Sequence, residues 1–169
     1  MDSSSQTAIL IGVGSNAAPE CWVPAAVRLV RDAFGAVRLS TFYLTRPLGD
    51  PAQPPYVNGV IAASTALALP GVRAALRGIE SRCGRVRDPQ KRFAARTMDL
   101  DLLTFGNAVL AAEGLPAAEL LERDFCLLPA AELWPDWVHP TIGRTLRQLA
   151  TERFPQRPNI LGPAGFHVG

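Results

Sequence analysis

The sequence of 169 residues is long enough for one domain with its own hydrophobic core. Hydrophobic residues make up 48% of it, which excludes a disordered chain, and no apolar run approaches the roughly 18 residues of a membrane helix. The net charge of +2 is too small to indicate a nucleic-acid-binding protein by itself.

In chain order, the first predicted element is a buried strand at residues 7–13 (TAILIGV), followed by a tight turn at Gly14-Ser15-Asn16. Pro19-Glu20 then opens an amphipathic helix that we expect to end near Phe34. The apolar pattern predicts a second strand at residues 37–45.

The middle of the chain continues this alternation. Residues 46–55 (RPLGDPAQPP) hold four prolines and a glycine, which predicts an irregular loop. A third strand is predicted at 56–65, where it can pair with the second, and a helix follows from Pro70 to about Arg82. A charged loop at 84–95 leads to a fourth strand at 97–105.

The order β-α-β-β-α-β predicts an α+β fold, a ferredoxin-like sandwich. From residue 106 the chain reads as a C-terminal extension with a helix near 127–133. The last stretch, from Thr151, has three glycines and three prolines in 19 residues. We therefore expect residues 1–169 to form a single domain in which residues 1–6 and about 151–169 are loosely ordered.

The cysteines and the N-terminus indicate the compartment. Cys21, Cys83 and Cys126 are widely spaced and form no Cys-x-x-Cys pair. This argues against a disulfide framework or a zinc site and favours a reducing environment. The N-terminal MDSSSQT carries an acid and no base, and a short apolar run follows it, so we expect no secretory signal and a cytoplasmic location.

A glycine motif follows the first predicted strand. Residues 12–17 (GVGSNA) fit the G-x-G-x-x-A pattern of dinucleotide-binding turns. The acid expected after the second strand is missing, and the chain is short for a two-half dinucleotide-binding domain. A turn that needs glycine for backbone reasons is therefore the better interpretation. No G-x-x-x-x-G-K-[ST] motif is present, which excludes a P-loop.

Two carboxylates stand in the apolar run at residues 96–106. Asp99 and Asp101 share one face of the predicted strand, about 7 Å apart. Such a pair raises the pKa of both carboxyl groups unless a cation or guanidinium groups neutralise them. An exposed edge strand, or pairing with Arg96, would be a purely structural explanation. The functional interpretation is a Mg²⁺ site in which the two aspartates serve two ions that bridge a triphosphate.

Basic residues cluster just before this strand. Of the 17 basic residues, 16 are arginine, and eight basic positions fall between Arg73 and Arg96. Arginine suits the planar recognition of phosphate. The loop that carries Arg85, Arg87 and Arg92 could close over phosphates and exclude water. A solvated basic loop or an RNA-binding patch is the alternative, and the neighbouring aspartates favour phosphoryl transfer.

A third group of residues suits a flat heterocycle. Tyr56 and Asn58 lie two residues apart, on one face of the third predicted strand. An aromatic ring offers a stacking surface, and an amide can donate and accept hydrogen bonds at the edge of the heterocycle. An ordinary strand start with a core tyrosine is the alternative.

Together these segments resemble the 6-hydroxymethyl-7,8-dihydropterin pyrophosphokinase family over about residues 7–148. The most specific element is RFAARTMDLDLL at 92–103, which matches the family signature throughout. Six other segments occur in the family's order along the chain: GSN at 14–16, FYLTRPLG at 42–49, Q-x-x-Y-x-N at 53–58, IE at 79–80, GRVR at 84–87 and RDFCLLP at 123–129.

The resemblance implies a ferredoxin-like enzyme of folate biosynthesis. It would move the pyrophosphoryl group of MgATP to the hydroxymethyl group of 6-hydroxymethyl-7,8-dihydropterin and release AMP. Two Mg²⁺ ions would be bound by Asp99 and Asp101, which would act as catalytic residues together with Arg85 and Arg96. The positions matching ATP-binding residues are Glu80, Arg87, Arg92, Phe93, Leu102 and Arg123. Those matching pterin-binding residues are Thr45, Arg46, Leu48, Tyr56, Asn58 and Phe125.

The chain departs from the family pattern at three places. The segment before Arg123 lacks the usual Pro-His step, Phe93 replaces a tryptophan, and Arg46 stands where a proline is common. The alternatives are a catalytically impaired paralogue, or a ferredoxin-like RNA-binding module that uses the cluster from Arg73 to Arg96. For the enzyme we expect a monomer with ATP and the pterin as partners, and neither a nucleic acid nor a membrane.

Overall fold

The structure is a computed structural model that describes residues 6–86 and 95–169. Its strands are β1 (Thr7–Ser15), β2 (Arg38–Leu39), β3 (Tyr43–Thr45), β4 (Tyr56–Thr65), β5 (Asp99–Phe105) and β6 (Ile160–Pro163). Its helices are α1 (Pro19–Phe34), α2 (Leu69–Arg82), α3 (Glu119–Glu122), α4 (Asp124–Leu133) and α5 (Leu146–Arg153), with a 3₁₀ turn at Ala111–Glu113. Within the described ranges no helix is long and apolar enough to cross a membrane.

The described strands form one antiparallel sheet in the order β5-β1-β4-β3-β6, with β2 also paired to β4. The central pair is β1 and β4, whose register runs from Thr7 opposite Thr65 to Ser15 opposite Val57. Strand β5 pairs with the other side of β1. An antiparallel sheet covered by helices confirms the predicted α+β class.

Helices cover both faces of the sheet because the strands alternate their side chains. Ile9 and Ile11 of β1 point into a core shared with α1 and α2. Leu10 points the other way, into a second core with α3, α4 and α5. On this second face β1 carries only glycine at positions 12 and 14, so the packing stops there and leaves an open end of the sheet.

The predicted second strand is broken into β2 and β3. Between them, the Ser40 hydroxyl accepts a hydrogen bond from the Val60 N–H at 2.9 Å and donates to the Thr41 carbonyl at 2.8 Å. This side chain takes over part of the strand pairing and lets Phe42 turn into the core, where it is 4% exposed. The other predicted strands and helices of the first half begin and end within two residues of the observed ones.

Strand β5 contains a bulge. Leu10 pairs with Thr104 and Ile11 with Leu102, so Leu103 is the extra residue. The Thr104 hydroxyl accepts a hydrogen bond from the Leu10 N–H at 3.1 Å, which stabilises the irregularity. Asp99, Asp101 and Leu103 therefore share one face, as the alternation predicted, while Phe105 turns to the opposite core.

The C-terminal segment differs from the loosely ordered tail that the sequence predicted. Strand β6 pairs with β3, with Ile160 opposite Thr45 and Gly162 opposite Leu44. Beyond it, the Ala164 N–H donates to the Phe42 carbonyl at 2.8 Å. Three apolar side chains of the tail then pack against the core below α1, namely Ala164, Phe166 and Val168.

Candidate active site

A cavity of about 330 Å³ opens at the end of the sheet where β1, β4 and β5 meet the N-terminus of α4. Its floor comes from the strands, one wall from the loop after β3, and the opposite wall from α3 and α4. The lining residues are Gly12, Val13, Gly14, Arg46, Leu48, Gln53, Tyr56, Asn58, Gly59, Arg96, Asp99, Asp101, Leu103, Glu119, Arg123, Phe125 and Cys126.

The floor depends on two glycines. Gly14 lies opposite Asn58 of β4 and opposite Asp99 of β5. A Cβ atom at Gly14 would lie 2.9 Å from the Asn58 Oδ1 atom, and one at Gly12 would lie 3.4 Å from the Leu103 side chain. The predicted turn at 14–16 is therefore wrong at its start. Gly14 is extended strand, and glycine is needed there for space rather than for backbone conformation.

Asn16 fixes the end of β1 to two other parts of the site. Its Oδ1 atom accepts a hydrogen bond from the Arg96 N–H at 2.7 Å, and its own N–H donates to the Arg96 carbonyl at 3.0 Å. Its Nδ2 atom donates to Gln53 Oε1 at 3.1 Å and to the Pro54 carbonyl at 3.2 Å. Asn16 is 4% exposed, so these bonds are shielded from water and hold the start of β5 and the loop wall in place.

Two arginines neutralise Asp99. Arg96 Nη1 forms an ion pair with Asp99 Oδ2, and Arg85 Nη2 lies 3.8 Å from Asp99 Oδ1. Arg85 also donates to the Met98 carbonyl at 3.4 Å, although it does not line the cavity itself. The arginines therefore converge on the face of β5 that the sequence singled out.

Asp101 lies in a different electrostatic environment from Asp99. It forms no ion pair among the residues that the structure describes. Burial, followed by the charges of Asp99, Glu119 and Glu80, raises the pKa of its carboxyl from 3.8 to about 7. Its side chain still reaches solvent through the cavity mouth. A cation beside both aspartates would stabilise the charged form of Asp101 and so lower the pKa of its carboxyl.

The two aspartates fit a magnesium ion. Both carboxylates line the cavity from one strand face, and carboxylate oxygens are hard ligands of the kind that Mg²⁺ prefers. In the described ranges no group of three or more histidine, cysteine, aspartate or glutamate side chains could hold a metal. A site with two protein carboxylates suits Mg²⁺, which completes its shell with water and phosphate oxygens.

The residues expected to bind the heterocycle come together. Arg46, Leu48, Tyr56, Asn58 and Phe125 all line the cavity. Thr45 lies directly behind it and is fully buried, and its hydroxyl accepts a hydrogen bond from Asn58 Nδ2 at 2.7 Å. This bond assigns the donor side of the Asn58 amide to Thr45 and leaves its oxygen on the cavity side, above Gly14.

The residues expected to bind ATP are more dispersed. Arg123 lines the first cavity, and Leu102 lines a second cavity of about 320 Å³ beside β5. Asp101 and Glu119 line both cavities, so the two meet there. Glu80 lines neither. It is 2% exposed, and its Oε1 atom accepts a hydrogen bond from the Leu100 N–H at 2.9 Å. The predicted contacts of Arg87, Arg92 and Phe93 lie outside the described residues.

Two lining residues of the α3 and α4 wall were not predicted from the sequence. Glu119 stands four residues before Arg123, a spacing that places both on one side of a helical turn and could have indicated its position. Cys126 follows the predicted Phe125. Burial above all, then the charge of Asp101, raises the pKa of its thiol to about 12, so Cys126 is a protonated wall residue rather than a nucleophile.

Comparison with known proteins gives one family. A model of the 7,8-dihydro-6-hydroxymethylpterin-pyrophosphokinase family matches residues 10–135. The 2-amino-4-hydroxy-6-hydroxymethyldihydropteridine pyrophosphokinase of Synechocystis sp. is 39% identical over 66% of this chain and 57% of its own length. That of Pseudomonas aeruginosa is 40% identical over 83% of this chain and 88% of its own length. The chain thus spans little more than half of the first relative and most of the second.

Solved structures agree in fold. The HPPK-DHPS of Plasmodium falciparum, solved with pterin and p-hydroxybenzoate, superposes with a TM-score of 0.66 at 12% sequence identity. The match covers 90% of this chain and 44% of that one. At this identity the likeness concerns the fold alone.

Proposed function

The chain belongs to the 7,8-dihydro-6-hydroxymethylpterin-pyrophosphokinase family, and on that premise we propose that it transfers the pyrophosphoryl group of MgATP to the hydroxymethyl group of 6-hydroxymethyl-7,8-dihydropterin. AMP is the second product, and the reaction belongs to folate biosynthesis. One observation carries the proposal. A single cavity combines an aromatic and amide surface with two carboxylates that arginines flank.

The aromatic end of the cavity suits the pterin. Tyr56 and Phe125 supply ring surfaces, and the Asn58 oxygen faces the cavity because its amide nitrogen is bound to Thr45. That oxygen accepts a hydrogen bond from the amino or ring N–H edge of the pterin. Burial raises the pKa of the Tyr56 phenol, so its ring stays neutral at physiological pH. The backbone of Thr45 to Leu48 completes the pocket.

The charged end suits the transferred phosphates. Arg96 and Arg85 approach Asp99 from two directions, so they lie where negative charge accumulates during the reaction. An in-line displacement at phosphorus needs little covalent help from the protein, so positioning and charge neutralisation carry the catalysis. We propose that Asp99 and Asp101 hold two Mg²⁺ ions. When bound, these ions would neutralise negative charge on the triphosphate.

The second cavity suits the nucleotide. It runs along the exposed edge of β5 past Leu102 and joins the first cavity at Asp101 and Glu119. A nucleotide lying there directs its phosphates toward Arg123 and Arg96. The ATP contacts of Arg87, Arg92 and Phe93 are part of the proposal. Glu80, which is buried and bound to the Leu100 N–H, would act on the nucleotide site through β5 rather than by touching ATP.

We extend the proposal to the finer fold. The sheet order, with β5 and β4 on either side of β1, is the order that a ferredoxin-like βαββαβ unit requires. Residues from 106 onward then form an extension to that unit, and the whole chain forms one domain that acts as a monomer.

The RNA-binding alternative is less well supported. Tyr56 and Phe125 line a cavity, whereas RNA-recognition sheets expose their aromatic residues to stack bases. Arginines of the cluster form ion pairs with acidic residues. Arg73 Nη2 lies 3.4 Å from the Glu113 carboxylate, and Arg96 is paired with Asp99. An open basic stripe for RNA is therefore not formed by these side chains. An impaired paralogue is likewise disfavoured because Arg85 and Arg96 lie beside Asp99, with Asp101 lining the same cavity.

The test is a nucleotide product analysis. The protein is mixed with MgATP, with and without 6-hydroxymethyl-7,8-dihydropterin, and the nucleotides are separated by chromatography. AMP that forms only in the presence of the pterin supports the proposal. ADP, or AMP formed at the same rate without the pterin, contradicts it. Asp99→Ala and Asp101→Ala should remove AMP formation while the protein stays folded by circular dichroism.

A further inference from the structure

The C-terminal tail reaches the wall of the cavity at one residue. Asn159, just before β6, accepts a hydrogen bond at its carbonyl from the Arg46 N–H, at 2.9 Å. Arg46 begins the loop wall of the cavity and is followed there by Leu48. A proline at position 46 has no N–H and could not donate this hydrogen bond to Asn159. Asn159 lies outside residues 10–135, the part of the chain that matches the family model.

The same asparagine holds the opposite wall. Its N–H donates to Asp124 Oδ2 at 2.7 Å, and its Nδ2 atom donates to Asp124 Oδ1 at 3.0 Å. Asp124 is the first residue of α4, fully buried, and its Oδ1 atom also accepts from the Phe125 N–H at 2.9 Å. One buried carboxylate thus fixes the backbone of Phe125 and the tail together.

These bonds form a bridge between the two walls. From the loop wall it runs from Arg46 to Asn159, then to Asp124, and ends at Phe125 on the α4 wall. Asn159 and Asp124 line neither cavity, so neither is in a position to touch a substrate there. The bridge spans the pterin end of the first cavity and does not involve β5, where the second cavity lies.

We propose that Asn159 is a positioning residue which, through Asp124, holds the Arg46 loop and Phe125 at the separation that the pterin requires. The proposal rests on the pterin-binding function proposed above. A pocket whose walls are already in place loses less conformational entropy when the pterin enters. Breaking the bridge therefore weakens pterin binding selectively and leaves the nucleotide site unchanged. The tail is part of the pterin site, although no tail side chain lines the cavity.

The test measures the two ligands separately by calorimetry. Pterin binding is titrated in the presence of Mg²⁺ and a non-hydrolysable ATP analogue, and analogue binding is titrated alone. Asn159→Ala removes the Nδ2 donor, and Asp124→Asn weakens the acceptor while keeping the side-chain shape. Asn107→Ala is the matched control, because Asn107 accepts a hydrogen bond from Trp137 Nε1 at 2.7 Å away from both cavities.

We expect Asn159→Ala to raise the pterin dissociation constant about fivefold or more, the equivalent of about 1 kcal/mol, and to change analogue affinity less than twofold. The double variant Asn159→Ala with Asp124→Asn should bind pterin about as well as the weaker single variant, because the Asn159 side chain acts only through its bond to Asp124. In steady-state assays the KM for the pterin rises while kcat stays within threefold. The control should change none of these values.

Three results would overturn the positioning role. Pterin affinity could be the same in Asn159→Ala as in the unmodified protein, pterin and analogue affinities could fall together, or the two single effects could simply add. Failure of the unmodified protein to bind the pterin at all would instead overturn the proposed function, and the positioning role with it. The outcomes are therefore distinguishable from one set of titrations.

Discussion

The charge of Asp101 should lower the stability of the metal-free protein in a pH-dependent way. Its carboxyl pKa is raised from 3.8 to about 7, by burial first and then by Asp99, Glu119 and Glu80. A carboxyl with a raised pKa in the folded state binds protons more readily there than in the unfolded chain. The stability of the folded state therefore falls as pH rises from about 4 to about 7, and the penalty is constant above that range.

The size of the penalty follows from the shift. A difference of about three pKa units corresponds to about 4 kcal/mol. Because the Asp101 side chain also reaches solvent, screening reduces this, and we expect about 1 kcal/mol at pH 8. Asp101→Asn removes the charge but keeps the shape, so the variant should be more stable than the unmodified protein, and by more at pH 8 than at pH 5.

Urea unfolding in EDTA at pH 5 and pH 8 measures this difference directly. Asp136→Asn is the control, since Asp136 is a carboxylate with an 83% exposed side chain that pairs with Arg147 on the surface. The control should gain nothing at pH 8. Mg²⁺ should reduce the advantage of Asp101→Asn, because the ion stabilises only the charged site. An Asp101→Asn variant with the same relative stability at both pH values would refute the charge argument.

Two further predictions concern the cavity. Gly14→Ala should lower stability by about 1–3 kcal/mol and raise the KM for the pterin, because its Cβ would lie 2.9 Å from Asn58 Oδ1. Gly78→Ala is the matched control, because Gly78 lies in a helix with nothing within 4 Å of an added Cβ; it should be neutral or stabilising by up to about 1 kcal/mol. Equal changes in melting temperature for Gly14→Ala and Gly78→Ala would contradict the space argument. Arg96→Ala should lower kcat about tenfold or more, a barrier increase of about 1.4 kcal/mol, while pterin binding survives in calorimetry. An equal loss of pterin affinity would place Arg96 at the pterin rather than at the phosphates.

The charged face of the site could be predicted because its signal is local. Alternation along a strand places Asp99 and Asp101 on one side whatever the rest of the fold does. The register with β1 then brings Gly14 between Asp99 and Asn58, and the sequence alone does not contain that register. For this reason the sequence alone predicts a turn at Gly14, although glycine is needed there to leave room for the Asn58 side chain, as Gly12 leaves room for Leu103.

The C-terminal part was harder to predict because its contacts are long-range. Glycine and proline suggested a loose tail, yet backbone pairing with Leu44 and burial of Phe166 and Val168 hold it in the structure. A local signal does mark the start of α5. Thr145 and Gln148 have the Thr-x-x-Gln spacing of a capping box, and they form one at the start of α5. The bridge through Asn159 has no such signal, since its partners Arg46 and Asp124 lie far away in sequence.

The central claim is that two phosphoryl groups leave ATP together, and phosphorus NMR of the products tests it most directly. After reaction of the protein with MgATP and 6-hydroxymethyl-7,8-dihydropterin, we predict the resonance of AMP and two mutually coupled phosphorus resonances from a pyrophosphorylated pterin. A single new phosphorus resonance on the pterin, accompanied by ADP, would contradict the claim.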